Sequence, residues 1–259
     1  MIRTANPTLN EEVFRSSHVT PQQGVMTIDG TVNKTIFCLV LAMATGFWAW
    51  SNPMTSTGAV QWIALIAAFV IAIVATFKPQ YSPVLAPTYA ALKGVALGAI
   101  SWTLSAYISS NPQAVMSGQV APDSGLVFQA VSLTFLTLFC MLMTYKSGLI
   151  KVNDTFRRVV IIGTVTIMFT YLVSLIAGLL GFRMDFLHGS GMFSIGFSLF
   201  AIGFAALNLV LDFDRIQSGA QSGSAPKYME WYGAFALLVT LAWLYIEILH
   251  LLFKLQSRD

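Results

Sequence analysis

Residues 208–254 read NLVLDFDRIQSGAQSGSAPKYMEWYGAFALLVTLAWLYIEILHLLFK. An apolar stretch runs into Asp212 and Asp214. A short polar turn follows, and a second apolar stretch begins near Trp231 and carries Glu247 deep inside it. Both stretches are long enough to cross a bilayer as helices. Hydrocarbon cannot solvate a charge, so carboxylates in such helices face a partner or a water-filled cavity and mark functional sites. The rest of the chain reads mainly as the scaffold that holds these acids.

Composition agrees with that reading. Of 259 residues, 56% are hydrophobic and only 10% charged, against about 25% charged in a soluble domain. Mean hydropathy is +0.72. The net charge of +3 fits basic loops on one side of a membrane. It does not indicate nucleic-acid binding, since no basic patch with interleaved aromatics occurs. Cys38 and Cys140 both sit in apolar runs without a C-x-x-C spacing, and read as small buried hydrophobes.

Seven apolar segments follow a polar start, at about 35–51, 59–77, 84–108, 125–145, 159–181, 192–213 and 231–253. Each approaches or meets the 17–25 residues a membrane helix needs. None shows the alternating ten-residue pattern of a membrane barrel. Residues 1–34 lack apolar periodicity and read as a mostly disordered cytoplasmic tail, with a short helix over 10–15. Residues 35–255 read as one membrane domain. No cleavable leader is expected, because the first apolar run starts too late.

Lys and Arg set the expected orientation. The tail and the second, fourth and sixth loops hold Arg3, Arg15, Lys34, Lys78, Lys146, Lys151, Arg157, Arg158, Arg215 and Lys227. The first and third loops hold none, and the fifth only Arg183. The positive-inside rule places the N-terminus in the cytoplasm and, after seven spans, the C-terminus outside. A re-entrant last segment would return it. Gly94-Val-Ala-Leu-Gly98 is a G-x-x-x-G that reads as packing within one chain rather than as a dimer contact.

Each candidate site residue has two readings. Asp212 and Asp214 point in different directions on a helix. Asp212 reads as the inward acid and Asp214 as a surface ion-pair partner, unless both simply mark the helix end. Glu247 lies too far inside its span to be a cap. It is either functional or a neutral acid hydrogen-bonded to a neighbouring helix. Glu247 and His250 share one helix face as E-x-x-H, yet di-iron bundles need two such motifs, so His250 reads as interfacial. Lys93, mid-span, either counters a buried carboxylate or snorkels toward an interface. If it counters one, its ammonium is expected at Glu247 or Asp212. Lys78 reads as a positive-inside anchor or a functional cation. No P-loop, H-E-x-x-H or G-x-S-x-G is present, so an enzyme is not expected.

Seven spans, a T-Y-x4-G-x2-L-G-x-I-S third segment (88–101), the LDFDRI end of the sixth and the LYIEILHLL of the seventh resemble the Bax inhibitor family, in its bacterial branch. The resemblance covers about 35–255. It implies an all-α fold with six helices packed around a central seventh. It also implies a pH-sensitive calcium leak in the plasma (inner) membrane. The sensor would be an acid pair at the positions of Asp212 and Glu247, with Lys78 as a latch on the first. Glu247 stands where relatives carry Asp, and Lys93 adds a cation they lack. Asp214, Arg215 and His250 are secondary. Calcium, if bound, would use Asp212 and Glu247, and no other cofactor is implied. Two carboxylates in low dielectric would share a proton, and calcium prefers such oxygen ligands. Helix rise, however, offsets Asp212 and Glu247 by roughly 14 Å in depth. The alternative function is a non-conducting regulator that binds other membrane proteins, such as a protease. The partners implied are the bilayer and such proteins.

Overall fold

The computed structural model describes residues 24–52, 58–109, 113, 115, 124–181, 187, 189 and 191–257. The expected tail helix over 10–15 lies outside them. Among the described residues seven helices are long and apolar enough to span a membrane. They are α1 (Ile28–Ser51), α2 (Gly58–Phe77), α3 (Ser82–Ile108), α4 (Gly125–Lys146), α5 (Asp154–Leu179), α6 (Met192–Gln221) and α7 (Met229–Gln256). Among the described residues there is no strand, only an isolated antiparallel bridge between Val25 and Pro226. The protein is an all-α membrane protein.

Local chemistry fixes the helix ends. α1 starts at Ile28, several residues before the apolar run, because Thr27 caps it by accepting from Gly30 N. Asn153 caps α5 through Phe156 N at 2.7 Å. α3 begins with Ser82-Pro83, where a missing N–H costs nothing. The linker from α6 to α7 turns through Gly223 at φ +64°, a left-handed conformation that favours glycine. α6 has 30 residues, about 45 Å, and so outruns a hydrocarbon core of about 30 Å.

α7 is the core of the bundle. In its most apolar stretch 61% of residues are buried, against 17% in α1, α2 and α4. The packing is less symmetric than six helices around one. α7 packs on α6, α1, α3 and α4, whereas α2 leans on α3 and α5 on α6. Phe235, Leu244 and Leu249 are wholly enclosed. The outer helices turn large apolar side chains outward, among them Trp62, Phe69, Phe77, Phe128 and Leu179. Such a continuous apolar coat is stable only in lipid. Cys38 is buried, but Cys140 faces outward with this coat.

α1 and α3 form the most intimate pair. A Cβ on Gly94 would strike the Ala42 carbonyl and Thr45 Oγ1, and one on Gly98 the Gly46 backbone. The G-x-x-x-G therefore serves packing inside the chain. Gly196 and Gly203 of α6 face open space. We expect Gly98→Leu to destabilise the detergent-solubilised protein by about 1–3 kcal/mol or more, the scale of overpacking. Gly203→Ala should leave the unfolding midpoint nearly unchanged, and unfolding followed by circular dichroism separates the two.

Candidate functional site

Asp212 lies in α6, nine residues before its end, and is fully buried. Thr240 of α7 donates its hydroxyl to Asp212 Oδ2 at 2.6 Å. One turn on, Arg215 places Nη1 3.7 Å from Asp212 Oδ1, and it too is buried. One turn earlier, Asn208 donates its amide to Thr164 Oγ1 of α5 at 2.7 Å and to the Phe204 carbonyl at 2.8 Å. Asp214 points elsewhere, accepting from Arg157 Nη2 of α5 at 2.7 Å near the surface.

Glu247 is held by different groups. Tyr171 of α5 directs its hydroxyl at both carboxylate oxygens, at 2.8 and 2.9 Å. Trp243, one turn back on α7, donates its indole N–H at 3.0 Å. Thr240, the partner of Asp212, lies seven residues before Glu247, or about 10 Å along the helix. The two acids thus occupy separate centres at different levels of the same bundle and do not form one contact pair. A calcium ion, which takes six to eight oxygens, would not bridge them in this arrangement. Among the described residues no group of three or more His, Cys, Asp or Glu is placed to hold a metal.

Beside both centres lies an open-sided cavity of about 580 Å³ between α5, α6 and α7. Its wall includes Asn208, Thr164 and Thr240 from the Asp212 side and Tyr171 and Trp243 from the Glu247 side. The side chains that hydrogen-bond both acids therefore line one space.

The expected cations stand elsewhere. Lys78 is exposed at the end of α2, and among the described residues it forms no ion pair. The cation beside Asp212 is Arg215, because one helical turn delivers its guanidinium directly. Lys93 lines another cavity, between α1, α3, α4 and α7. Among the described residues no carboxylate lies within ion-pair distance of it, so the expected pairing with Asp212 or Glu247 is not formed. Its position mid-span leaves a charge whose insertion alone costs about 2.5–3.5 kcal/mol. His250 is half-buried on α7.

Two charged residues that sequence reasoning passed over are firmly held. Glu230, in the first turn of α7, is buried. Its Oε1 accepts from Thr27 N at 3.0 Å and Thr27 Oγ1 at 2.8 Å, and Oε2 pairs with Lys34, whose ammonium also lies over the Trp231 ring. The carboxylate sits at the N-termini of two helices, α1 and α7, where their dipoles favour an anion. Met26 N donates to the Ala225 carbonyl at 2.9 Å beside it. At the other end of α7, Lys254 donates to the Leu187 carbonyl at 3.0 Å and Ser198 Oγ at 2.8 Å. The signal for Glu230 was present: an acid directly preceding an apolar helix is placed for the N-terminal dipole.

These features define the class: a seven-helix membrane protein with buried acids around an intramembrane cavity. The chain belongs to the family described as Bax inhibitor 1 like, whose profile matches residues 6–257, nearly its whole length. No curated protein and no solved structure matches it.

The Glu230 clasp gives a direct expectation. Glu230→Ala should cost about 1.5–3 kcal/mol, the scale of a hydrogen bond to a charged group, and leave Thr27 N and Lys34 unpaired. Lys34→Ala should cost less, since Lys34 is half-exposed and the two Thr27 bonds survive. Detergent-state unfolding midpoints of the two variants check the order.

Proposed function

We propose that this protein is a pH-sensitive cation leak of the plasma membrane, with calcium as its cargo and Asp212 and Glu247 as its proton and ion sensors. The observation that carries the reading is the cavity between α5, α6 and α7, whose wall presents the hydrogen-bond partners of both acids. A conduction path needs successive polar stations weak enough to leave. Two carboxylates, Asp212 bound by Thr240 of α7 and Glu247 two helical turns beyond Thr240, each reached through a hydroxyl group, are such stations. On this reading the protein is neither an enzyme nor cofactor-dependent. The Lys- and Arg-rich end, with the N-terminus, faces the cytoplasm.

Asp212 and Arg215 take the role of the latch. An ionised Asp212 holds the guanidinium and the Thr240 hydroxyl, tying α6 to α7. A proton on Asp212 releases Arg215 and weakens the charge-assisted bond from Thr240, and through that bond the contact between the two helices loosens. Glu247 acts in the opposite sense: its ionised form supplies the negative charge that attracts a cation into the cavity.

A second reading, a non-conducting regulator of other membrane proteins, is favoured by one observation. Lys254 is pinned by a carbonyl and a serine about 10 Å beyond Glu247, which closes the path at that end.

Calcium flux into liposomes carrying the purified protein, measured at pH 6 and 8, separates the two. The leak reading expects Asp212→Asn to raise flux at neutral pH several-fold and Glu247→Gln to lower it, each flattening part of the pH profile. Because the centres are about 10 Å apart, the double variant should approach the product of the single effects. No flux from the wild-type protein at either pH leaves the regulator reading standing.

A further inference from the structure

The open-sided cavity that Lys93 lines has a volume of about 490 Å³ between α1, α3, α4 and α7. Its walls are apolar, with Leu97, Val131, Leu238 and Leu241 among them. Lys93 stands 11 residues after Ser82 and 15 before Ile108, roughly 16 and 22 Å from the ends of α3. Lys93 therefore lines this space far from either end of its helix. Among the described residues no carboxylate neutralises it. Farther along the wall, Ser101 Oγ and Tyr245 OH satisfy each other at 2.7 Å. Among the described residues Lys93 is the one charged group on this wall.

The cavity also has an entrance from the lipid. α1 and α4 both line it yet scarcely touch one another. Met43 and Phe47 of α1 and Phe128 of α4 line it and are exposed on the outer surface of the bundle.

We propose that this cavity binds a single-chain carboxylate amphiphile, a fatty acid, with its head on Lys93 and its chain along the apolar wall. One point charge without an Arg fork balances a monoanion, whereas a phosphate calls for more donors. A volume of about 490 Å³, within the ordinary range of ligand pockets, accommodates one acyl chain rather than the two of a phospholipid. The occupant supplies the anion that Lys93 lacks and enters from the bilayer between α1 and α4. This site is separate from the Asp212–Glu247 cavity and independent of the leak reading.

The test is binding of radiolabelled palmitate to the purified full-length protein in nanodiscs of zwitterionic lipid. Saturable binding near one palmitate per chain is expected. Lys93→Met should weaken it at least about tenfold, while Lys93→Arg should stay within about threefold of wild type. Hexadecanol, with the same chain and no charge, should compete at least about tenfold less well than palmitate. Palmitate should also raise the melting temperature of the wild-type protein and not of Lys93→Met. If Lys93→Met does not fold, the hexadecanol comparison decides. Equal binding by Lys93→Met, equal competition by hexadecanol, or displacement by phosphatidylglycerol as effectively as by palmitate would overturn the proposal.

Discussion

A polar group on a helix enclosed by other helices in lipid has no water to turn to, and α7 carries several. Their partners are spread over four neighbouring helices. Glu230 takes the N-terminus of α1, Thr240 binds Asp212 of α6, Tyr245 binds Ser101 of α3, and Glu247 takes the hydroxyl of Tyr171 on α5. Lys254 closes on Leu187 and on Ser198 at the start of α6. These contacts fix the rotation and height of α7 at once. A turn of the helix about its axis would break all of them, each at the cost of leaving a buried group unsatisfied. Apolar packing alone could not set the register this tightly, because lipid tails solvate leucine as well as a neighbouring helix does.

The same constraint separates the two acids. Asp212 is satisfied at the level of Thr240 and Glu247 at the level of Tyr171 and Trp243. In a low-dielectric interior, two carboxylates side by side would repel and force a proton between them. Spaced along α7, each can be satisfied in its own right. α5 matters most for what lies between them. It rests on α6, and its Thr164 and Tyr171 reach toward Asn208 and Glu247 across the cavity they line. Movement of α5 would therefore alter the surroundings of both acids together.

Close approach of small residues anchors the opposite flank. Gly94 and Gly98 bring the backbone of α3 against that of α1, while the clasp of Glu230, Thr27 and Lys34 ties α1 to the start of α7. One end of the molecule is thus cross-linked by charge and the middle by backbone contact. Beside the glycine contact lies the second cavity, which Lys93 lines among apolar side chains.

The seven spans, the all-α class and the membrane setting were legible in the sequence, because length and hydropathy alone decide them. Glu247 and Asp212 stood out for the same reason, as charges where hydrocarbon forbids them. The α1 start was not legible: the helix extends through polar residues 28–34, which tertiary contacts with Glu230 and Ala225 stabilise. Which cation meets which acid was also beyond the sequence. Lys78 and Lys93 were candidates by position, yet Arg215 sits beside Asp212, and Lys34, assigned to the tail, pairs with Glu230. The sequence by itself determined how many helices cross the membrane and which side chains could not face lipid. Only the tertiary structure decided their partners, since a hydrogen bond between helices depends on relative height and rotation, and these are set by the sum of contacts around α7 rather than by any local pattern.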